Sequence, residues 1–223
     1  MEPYYSNRLV TLYHGECKNV VEQIDLPKFD LLLTDPPYGI NTDTDYTRFD
    51  SSKINGKNYK PMIGDNGESR YSFLFRYGHI QIIFGANNFP QQIPFDPLTC
   101  GWICWDKRGS EAADKILGSP FELAVVLGKR TYKFIRLLHC GVINADGNSA
   151  SRVHPTQKPI KLFDEILCLF PDTKSLFDPF VGSGTTLIAA MKKDIKSVGI
   201  EIEEGYCEIV ADRLRKMESE AVI

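Results

Sequence analysis

The sequence lacks the cysteine and histidine patterns of disulfide frameworks and zinc sites. Its six cysteines, at positions 17, 100, 104, 140, 168 and 207, form no CxxC pair, and its four histidines are scattered along the chain. We therefore expect no disulfide framework and no structural metal. A reducing, cytoplasmic environment fits this pattern best.

Long apolar segments and an excess of basic residues are missing as well. No apolar segment approaches the ~20 residues that cross a bilayer, and Met1 to Tyr5 lack the basic and apolar parts of a signal peptide. This predicts that the protein has no membrane association.

The net charge of −3 also argues against a protein held on nucleic acid by its whole surface. Any such contact has to come from local basic patches, and two groups are candidates, although each is equally consistent with a solvated face. They are Lys129, Arg130, Lys133 and Arg136, and, in a loop-like region, Lys53, Lys57 and Lys60.

Short apolar segments alternate with amphipathic ones along the chain. This alternation predicts an α/β fold with a doubly wound, mostly parallel sheet, in one domain covering residues 1–223. The predicted strands are 9–13, 29–34, 80–84, 101–105, 121–127, 134–138, 175–177 and 197–202, and the predicted helices are 18–24, 72–77, 160–170, 185–193 and 206–217. Residues 39–70 and 141–153 have no regular pattern, and loops of the first length are usually functional or disordered.

The segment Asp35-Pro36-Pro37-Tyr38 stands where an apolar strand ends, which is where open α/β sheets place their sites. The two prolines stiffen the backbone, so a carboxylate, a carbonyl and an aromatic ring keep set positions. Asp35 and the Pro36 carbonyl can accept both N–H bonds of an amino group on a flat heterocycle, while Tyr38 stacks on the ring. The same tetrapeptide can also be a plain turn that ends a strand.

A second segment runs from a strand through a tight glycine turn into a helix. Glycine allows the turn and a close approach of a ligand to the backbone. Glu201 follows about twenty residues later, at the end of the next predicted strand, where an acid can bind both hydroxyls of a ribose. A structural turn with a solvated Glu201 is the alternative. The segment is Asp178-Pro179-Phe180-Val181-Gly182-Ser183-Gly184-Thr185.

Together with His154-Pro155-Thr156-Gln157-Lys158-Pro159, these two segments resemble the motifs of the amino-group DNA methyltransferases. Their order, catalytic before cofactor motif, is similar to that of the circularly permuted β class, which includes restriction–modification and phage enzymes. The likeness extends over nearly the whole chain, through segments 83–87, 102–107 and 121–122. It implies a Rossmann-like class I methyltransferase fold with a seven-stranded sheet, S-adenosylmethionine as cofactor and double-stranded DNA as substrate.

The resemblance also implies roles for individual residues. Asp35, Pro36, Pro37 and Tyr38 would hold the target base as the catalytic segment. Glu201 would bind the ribose of the cofactor, and His154, Thr156, Gln157 and Lys158 its methionine end, with Lys158 suited to the carboxylate. The turn would line the cofactor through Asp178, Phe180, Gly182, Ser183, Gly184 and Thr185. Glu16 is a further candidate for cofactor binding. It stands where relatives often have Gly-Asp, so the segment is equally consistent with a simple surface turn.

The region available for reading a DNA sequence is short. Only residues 141–153 remain where the β class commonly has a larger recognition region, so we expect the 39–70 loop to contact DNA instead. We also expect a short or relaxed recognition site and a second subunit, as a homodimer would double the phosphate contacts.

The identity of the acceptor stays open between several classes. An aspartate-led motif favours adenine N6, whereas the serine-led form favours cytosine N4. RNA or protein amides are other acceptors of the same chemistry. A catalytically silent DNA-binding subunit of this fold is the non-enzymatic alternative, but it predicts a lost motif residue, and the catalytic and cofactor motifs are both intact.

Overall fold

The computed structural model describes residues 1–45, 61–67, 71–108, 119–139 and 157–220. Most of the 39–70 loop, all of the 141–153 region, and His154 and Thr156 lie outside the described residues. The predictions made for them stay predictions.

A nine-stranded sheet forms the centre of the described structure, in the order β1-β2-β9-β8-β3-β4-β6-β5-β7. The strands β2, β9, β8, β3 and β4 are mutually parallel, β6 is antiparallel to both of its neighbours, and β7 is parallel to β5. The bounds are β1 Tyr5–Ser6, β2 Val10–His14, β3 Phe29–Thr34, β4 Gly78–Phe84, β5 Gly101–Asp106, β6 Phe121–Leu127, β7 Tyr132–Arg136, β8 Ser175–Asp178 and β9 Lys196–Glu201.

The mostly parallel α/β sheet is confirmed. The sheet has nine strands in the described residues, whereas the resemblance implies seven and the apolar pattern predicts eight. Tyr5–Ser6 is not among the predicted strands, and β7 begins two residues before the predicted strand 134–138; these two strands form the edges of the sheet. Tyr5–Ser6 pairs antiparallel with β2, and Tyr132–Arg136 runs along β5. Each of them pairs backbone groups that the edge of a seven-stranded sheet would leave unpaired.

In the described ranges, four α-helices cover the sheet on both faces: α1 Cys17–Gln23, α2 Ile160–Cys168, α3 Thr185–Lys192 and α4 Glu204–Glu220. The helices α2, α3 and α4 pack on one face, and α1 packs on the other. The expected helix at 72–77 is a short 3-10 helix, Ser72–Arg76, since the chain enters β4 at Gly78. Of the described helices, none is both long and apolar enough to cross a membrane.

The strand directions bring distant parts of the sequence to one edge of the sheet. The carboxyl ends of β3, β4, β5, β8 and β9 meet there, together with the amino end of the antiparallel β6. In an open α/β sheet this edge is where ligands bind.

Candidate active site

The two predicted motifs lie side by side at this edge. Thr34, the last residue of β3, is buried, and its hydroxyl donates a hydrogen bond to Asp178 Oδ1 at 2.8 Å. The pair links the start of the Asp35–Tyr38 segment to the start of the glycine turn. A base held at the first and a cofactor held at the second would therefore be close neighbours.

The Tyr38 side chain is held by contacts at both of its ends. Its hydroxyl donates to Asp35 Oδ1 at 2.7 Å and lies 3.2 Å from Glu122 Oε2. Its ring lies directly over Gly85, where a Cβ would come within 2.0 Å of the ring carbon Cε1. Only glycine leaves room for the ring in this position.

The rest of the catalytic segment is held from the neighbouring loops. The Tyr71 hydroxyl donates to the Pro37 carbonyl at 2.5 Å. Asp65 accepts hydrogen bonds from the backbone N–H groups of Gly39 and Thr42, each at 2.6 Å. The start of the 39–70 loop is therefore tied to its later part, and this fixes the chain as it leaves Tyr38.

Asp35 belongs to a cluster of four charged side chains, together with Lys158, Glu122 and Lys107. The ammonium of Lys158 donates to Asp35 Oδ2 and also lies 3.1 Å from Glu122 Oε2. The other carboxylate oxygen of Glu122 pairs with Lys107 at 2.6 Å. Lys158 is 6% exposed, so its charge is almost fully enclosed by these partners.

Burial raises the pKa values of the Asp35 and Glu122 carboxyl groups, whereas pairing with lysine lowers them. Burial raises the pKa of Asp35 above its usual range, although the ammonium of Lys158 acts against the rise. Glu122 is also desolvated, but Lys158 and Lys107 together lower its pKa to about 2. The Lys158 pKa is raised, because the attraction of Asp35 and Glu122 outweighs its own burial. Glu122 is thus the firmly ionised member, and Asp35 depends on Lys158 for its charge.

The glycine turn connects β8 to α3 in a left-handed conformation. Gly182 has φ of +54° and Gly184 has φ of +84°, and a Cβ on Gly184 would lie 2.8 Å from a methyl group of Val210. Both positions therefore require glycine. The Ser183 carbonyl accepts a hydrogen bond from Arg213 of α4, which fixes the turn from outside.

Glu201 lies beside this turn with capacity to accept further hydrogen bonds. Its Oε2 accepts from the Gly182 N–H at 2.7 Å and its Oε1 from the Glu203 N–H at 2.8 Å. A carboxylate accepts about four hydrogen bonds, and backbone N–H groups of Gly182, Ile202 and Glu203 already contact it, so Glu201 keeps capacity for a ribose hydroxyl. Burial raises the Glu201 pKa to about 7. A carboxylate that accepts hydrogen bonds beside a glycine turn fits a ribose hydroxyl of a nucleoside cofactor.

The other predicted cofactor residues lie around the same turn. Asp178 is buried, which raises its pKa to about 6, and its Oδ1 also accepts from the Phe180 N–H at 3.0 Å. The Ser183 and Thr185 hydroxyls lie 3.2 Å apart, and Thr185 donates to the Lys158 carbonyl at 3.1 Å.

Lys158 therefore reaches both motifs, its backbone at the turn and its ammonium at Asp35. Gln157, just before it, is buried as well. The predicted contact of Lys158 with a cofactor carboxylate stays a prediction.

Glu16 is exposed, and its carboxylate accepts a hydrogen bond from Asn19 at 2.6 Å. The preceding Gly15 donates to the Glu201 carbonyl at 2.9 Å, which places Glu16 near the cofactor end of the site. Its cofactor role stays a prediction.

Four residues that contribute to the site received no role from the sequence: Gly85, Tyr71, Lys107 and Glu122. Three of them lie in the segments 83–87, 102–107 and 121–122 that extend the family likeness, which was the available signal, and Tyr71 had none. Tyr71, Lys107 and Glu122 reach the site through pairings between distant segments.

Comparison with known proteins identifies the family of this chain. The model of the N6/N4 methyltransferase family, described as DNA methylase, matches residues 100–212. The type II methyltransferase M2.DpnII of Streptococcus pneumoniae is 42% identical over 96% of this chain and 92% of its own length. M.ScaI of Streptomyces caespitosus is 25% identical over 96% of this chain and 84% of its own.

Solved structures share the fold. The complex of M1.HpyAVI with S-adenosylmethionine superposes with a TM-score of 0.53 at 20% identity, covering 92% of this chain and 100% of that one. The PvuII methyltransferase, described as cytosine-N4-specific, has a TM-score of 0.58 at 14% identity, covering 95% and 88%. From its motifs, its fold and its relatives, this chain belongs to the N6-adenine/N4-cytosine DNA methyltransferases of restriction–modification type, with S-adenosylmethionine as cofactor.

Proposed function

We propose that this protein transfers a methyl group from S-adenosylmethionine to the N6 amino group of adenine in double-stranded DNA. The observation that carries the proposal is the hydrogen bond from Thr34 to Asp178, because it joins a carboxylate-led base site to the cofactor turn. The choice of adenine is supported by the aspartate at the head of the Asp35–Tyr38 segment.

The exocyclic amino group of the base is a poor nucleophile, and the residues Asp35–Tyr38 would activate it. The lone pair of an exocyclic amine is delocalised into the ring, so the amine has to turn toward sp³ geometry before it reacts. Asp35 and the Pro36 carbonyl would each accept one N–H bond in that geometry, and Tyr38 would stack on the base. The positive charge that develops on the nitrogen is stabilised by Asp35, at roughly 4 kcal/mol for charges 4 Å apart near a protein surface.

The glycine turn and Glu201 would hold the cofactor, with Glu201 accepting hydrogen bonds from its ribose. When bound, the cofactor would supply a methyl group for attack by the amino lone pair, and the electron pair of the broken S–C bond would stay on sulfur. The methylated nitrogen then carries a surplus proton, which Asp35 is placed to accept. No covalent bond to the protein is needed.

The base has to leave the duplex to reach this site. Asp35 and Tyr38 are half-buried at the edge of the sheet, and an amino group inside a stacked duplex cannot reach them. We therefore include base flipping in the proposal.

Four exposed basic residues on or next to β7 are candidate contacts for DNA phosphates: Lys129, Arg130, Lys133 and Arg136. Because β7 is parallel to β5, Arg136, which also pairs with Asp106 at 3.0 Å, stands at the edge of the sheet that carries Asp35. A homodimer would double such contacts and is part of the proposal.

Nucleoside mass spectrometry tests the reaction directly. Duplex DNA incubated with the protein and S-adenosylmethionine should gain N6-methyladenine. Gain of N4-methylcytosine instead would overturn the adenine assignment, and no methylated base at all would overturn the enzymatic function.

Asp35→Ala is the matched variant for this test. It should abolish methylation but retain cofactor binding, as Asp35 faces the base whereas Glu201 and the turn face the cofactor. Equal loss of binding and methylation would contradict this division of roles.

A further inference from the structure

The charged cluster around Asp35 poses a conflict for the proposed reaction. Asp35 Oδ2 already accepts the ammonium of Lys158, and Oδ1 accepts the hydroxyl of Tyr38. An amino group that comes to Asp35 therefore meets a lysine cation at the same carboxylate. That cation would repel the positive charge that the amine gains during methyl transfer.

Lys158 cannot simply withdraw into the protein. It is 6% exposed, and a buried ammonium without a partner is strongly destabilised. It needs a second carboxylate within reach of a small side-chain movement. Glu122 Oε2 already lies 3.1 Å from its Nζ.

The Glu122 carboxylate, the second possible partner of Lys158, is itself held in place. Lys107 pairs with its other oxygen at 2.6 Å, and the backbone next to it is held in the sheet, where the Leu123 carbonyl accepts from Gly85. Lys107 and Lys158 together keep its pKa at about 2. The carboxylate therefore stays charged and stationary while the lysine between the two acids moves.

Resting on the function proposed above, we infer that Glu122 is a positioning residue for methyl transfer: it receives the ammonium of Lys158 when the amino group of the target base takes its place at Asp35. Lys158 then has a carboxylate partner both before and after the base binds. The net charge of Asp35, Glu122, Lys158 and Lys107 is zero in both arrangements.

Glu122→Gln removes the receiving charge and leaves Lys158 on Asp35. We expect its single-turnover methylation rate to fall at least tenfold, with the dissociation constant of S-adenosylmethionine unchanged. Thermal melting and cofactor binding verify that the variant folds. If it does not fold, Glu122→Asp, which keeps the charge but draws it back from Lys158, carries the comparison and should retain an intermediate rate.

The double variant Glu122→Gln/Lys158→Met separates positioning from a structural role. Removing Lys158 as well clears Asp35 and restores a neutral cluster. Because Lys158 is also a predicted cofactor contact, the rates are compared at S-adenosylmethionine concentrations that saturate each variant, and there the rate of the double variant should exceed those of both Glu122→Gln and Lys158→Met. A structural role for Glu122 predicts instead that the double variant is as slow as the slower single variant, or slower.

The outcomes distinguish this inference from the proposed function. If the unaltered protein methylates DNA and Glu122→Gln keeps the full rate, or the double variant shows no recovery, the role of Glu122 is refuted and the function stands. If the unaltered protein yields no methylated base, the proposed function itself fails.

Discussion

Replacing Gly85 by alanine tests whether the Tyr38 ring has to stay where the structure places it. Gly85 has φ of +66°, a conformation that costs other residues about 1–2 kcal/mol. Its Cβ would lie 2.0 Å from Tyr38 Cε1, whereas non-bonded carbon atoms rest about 3.5–4.0 Å apart. The ring therefore has to move by on the order of 1.5 Å.

That movement should damage base binding and spare the cofactor site. A misplacement of about 1 Å can cost roughly 10²-fold in rate, so we expect a fall of this size in single-turnover methylation. The Tyr38 hydroxyl would also leave Asp35, to which it donates at 2.7 Å. The free energy of unfolding should fall by about 1–3 kcal/mol, and cofactor affinity should not change, since Glu201 and its turn are untouched.

Gly128→Ala is the matched control. Gly128 has φ of +82°, and its Cβ would meet the His79 carbonyl oxygen at 2.4 Å, at the end of β6 that points away from the site. Urea unfolding should show a loss of stability in both variants. Rates measured with radiolabelled S-adenosylmethionine should fall only in Gly85→Ala, and equal rates in the two variants would refute the reasoning.

Three further predictions concern Glu201, the acid expected to bind the cofactor ribose, and the flipping of the target base. Glu201→Gln should weaken S-adenosylmethionine binding by on the order of 1–3 kcal/mol, and an unchanged dissociation constant in calorimetry would refute the ribose assignment. Burial raises the Glu201 pKa from 4.5 to about 7, so its contribution to stability is fully present below pH 4.5 and is lost as the pH rises to about 7. In urea unfolding, Glu201→Gln should remove that part of the pH dependence, whereas Glu204→Gln, at an exposed position of α4, should not. A 2-aminopurine at the target position should brighten on binding, unless Tyr38 quenches it by stacking; no change in either the unaltered protein or Tyr38→Ala would count against base flipping.

The sequence alone determined the fold class and the two motifs of the site. Apolar strands and amphipathic helices are local patterns, so the predicted strands 29–34 and 121–127 coincide with β3 and β6. The position of Asp35 after a strand and of Gly182 before a helix could be read in the same way, because each depends on a few neighbouring residues. The resemblance to the amino-group DNA methyltransferases predicted the cofactor, S-adenosylmethionine.

Tertiary structure decided which residues meet Asp35. Lys158 is 123 positions away in sequence, and Glu122 reaches Tyr38 over 84 positions. The Glu122 contact depends on β6 running antiparallel between β4 and β5, which carries its amino end to the edge where the parallel strands end. Lys158 is brought there by the segment before α2, whose backbone Thr185 holds at the glycine turn. The order and direction of strands arise from packing between distant segments, and local patterns do not encode them.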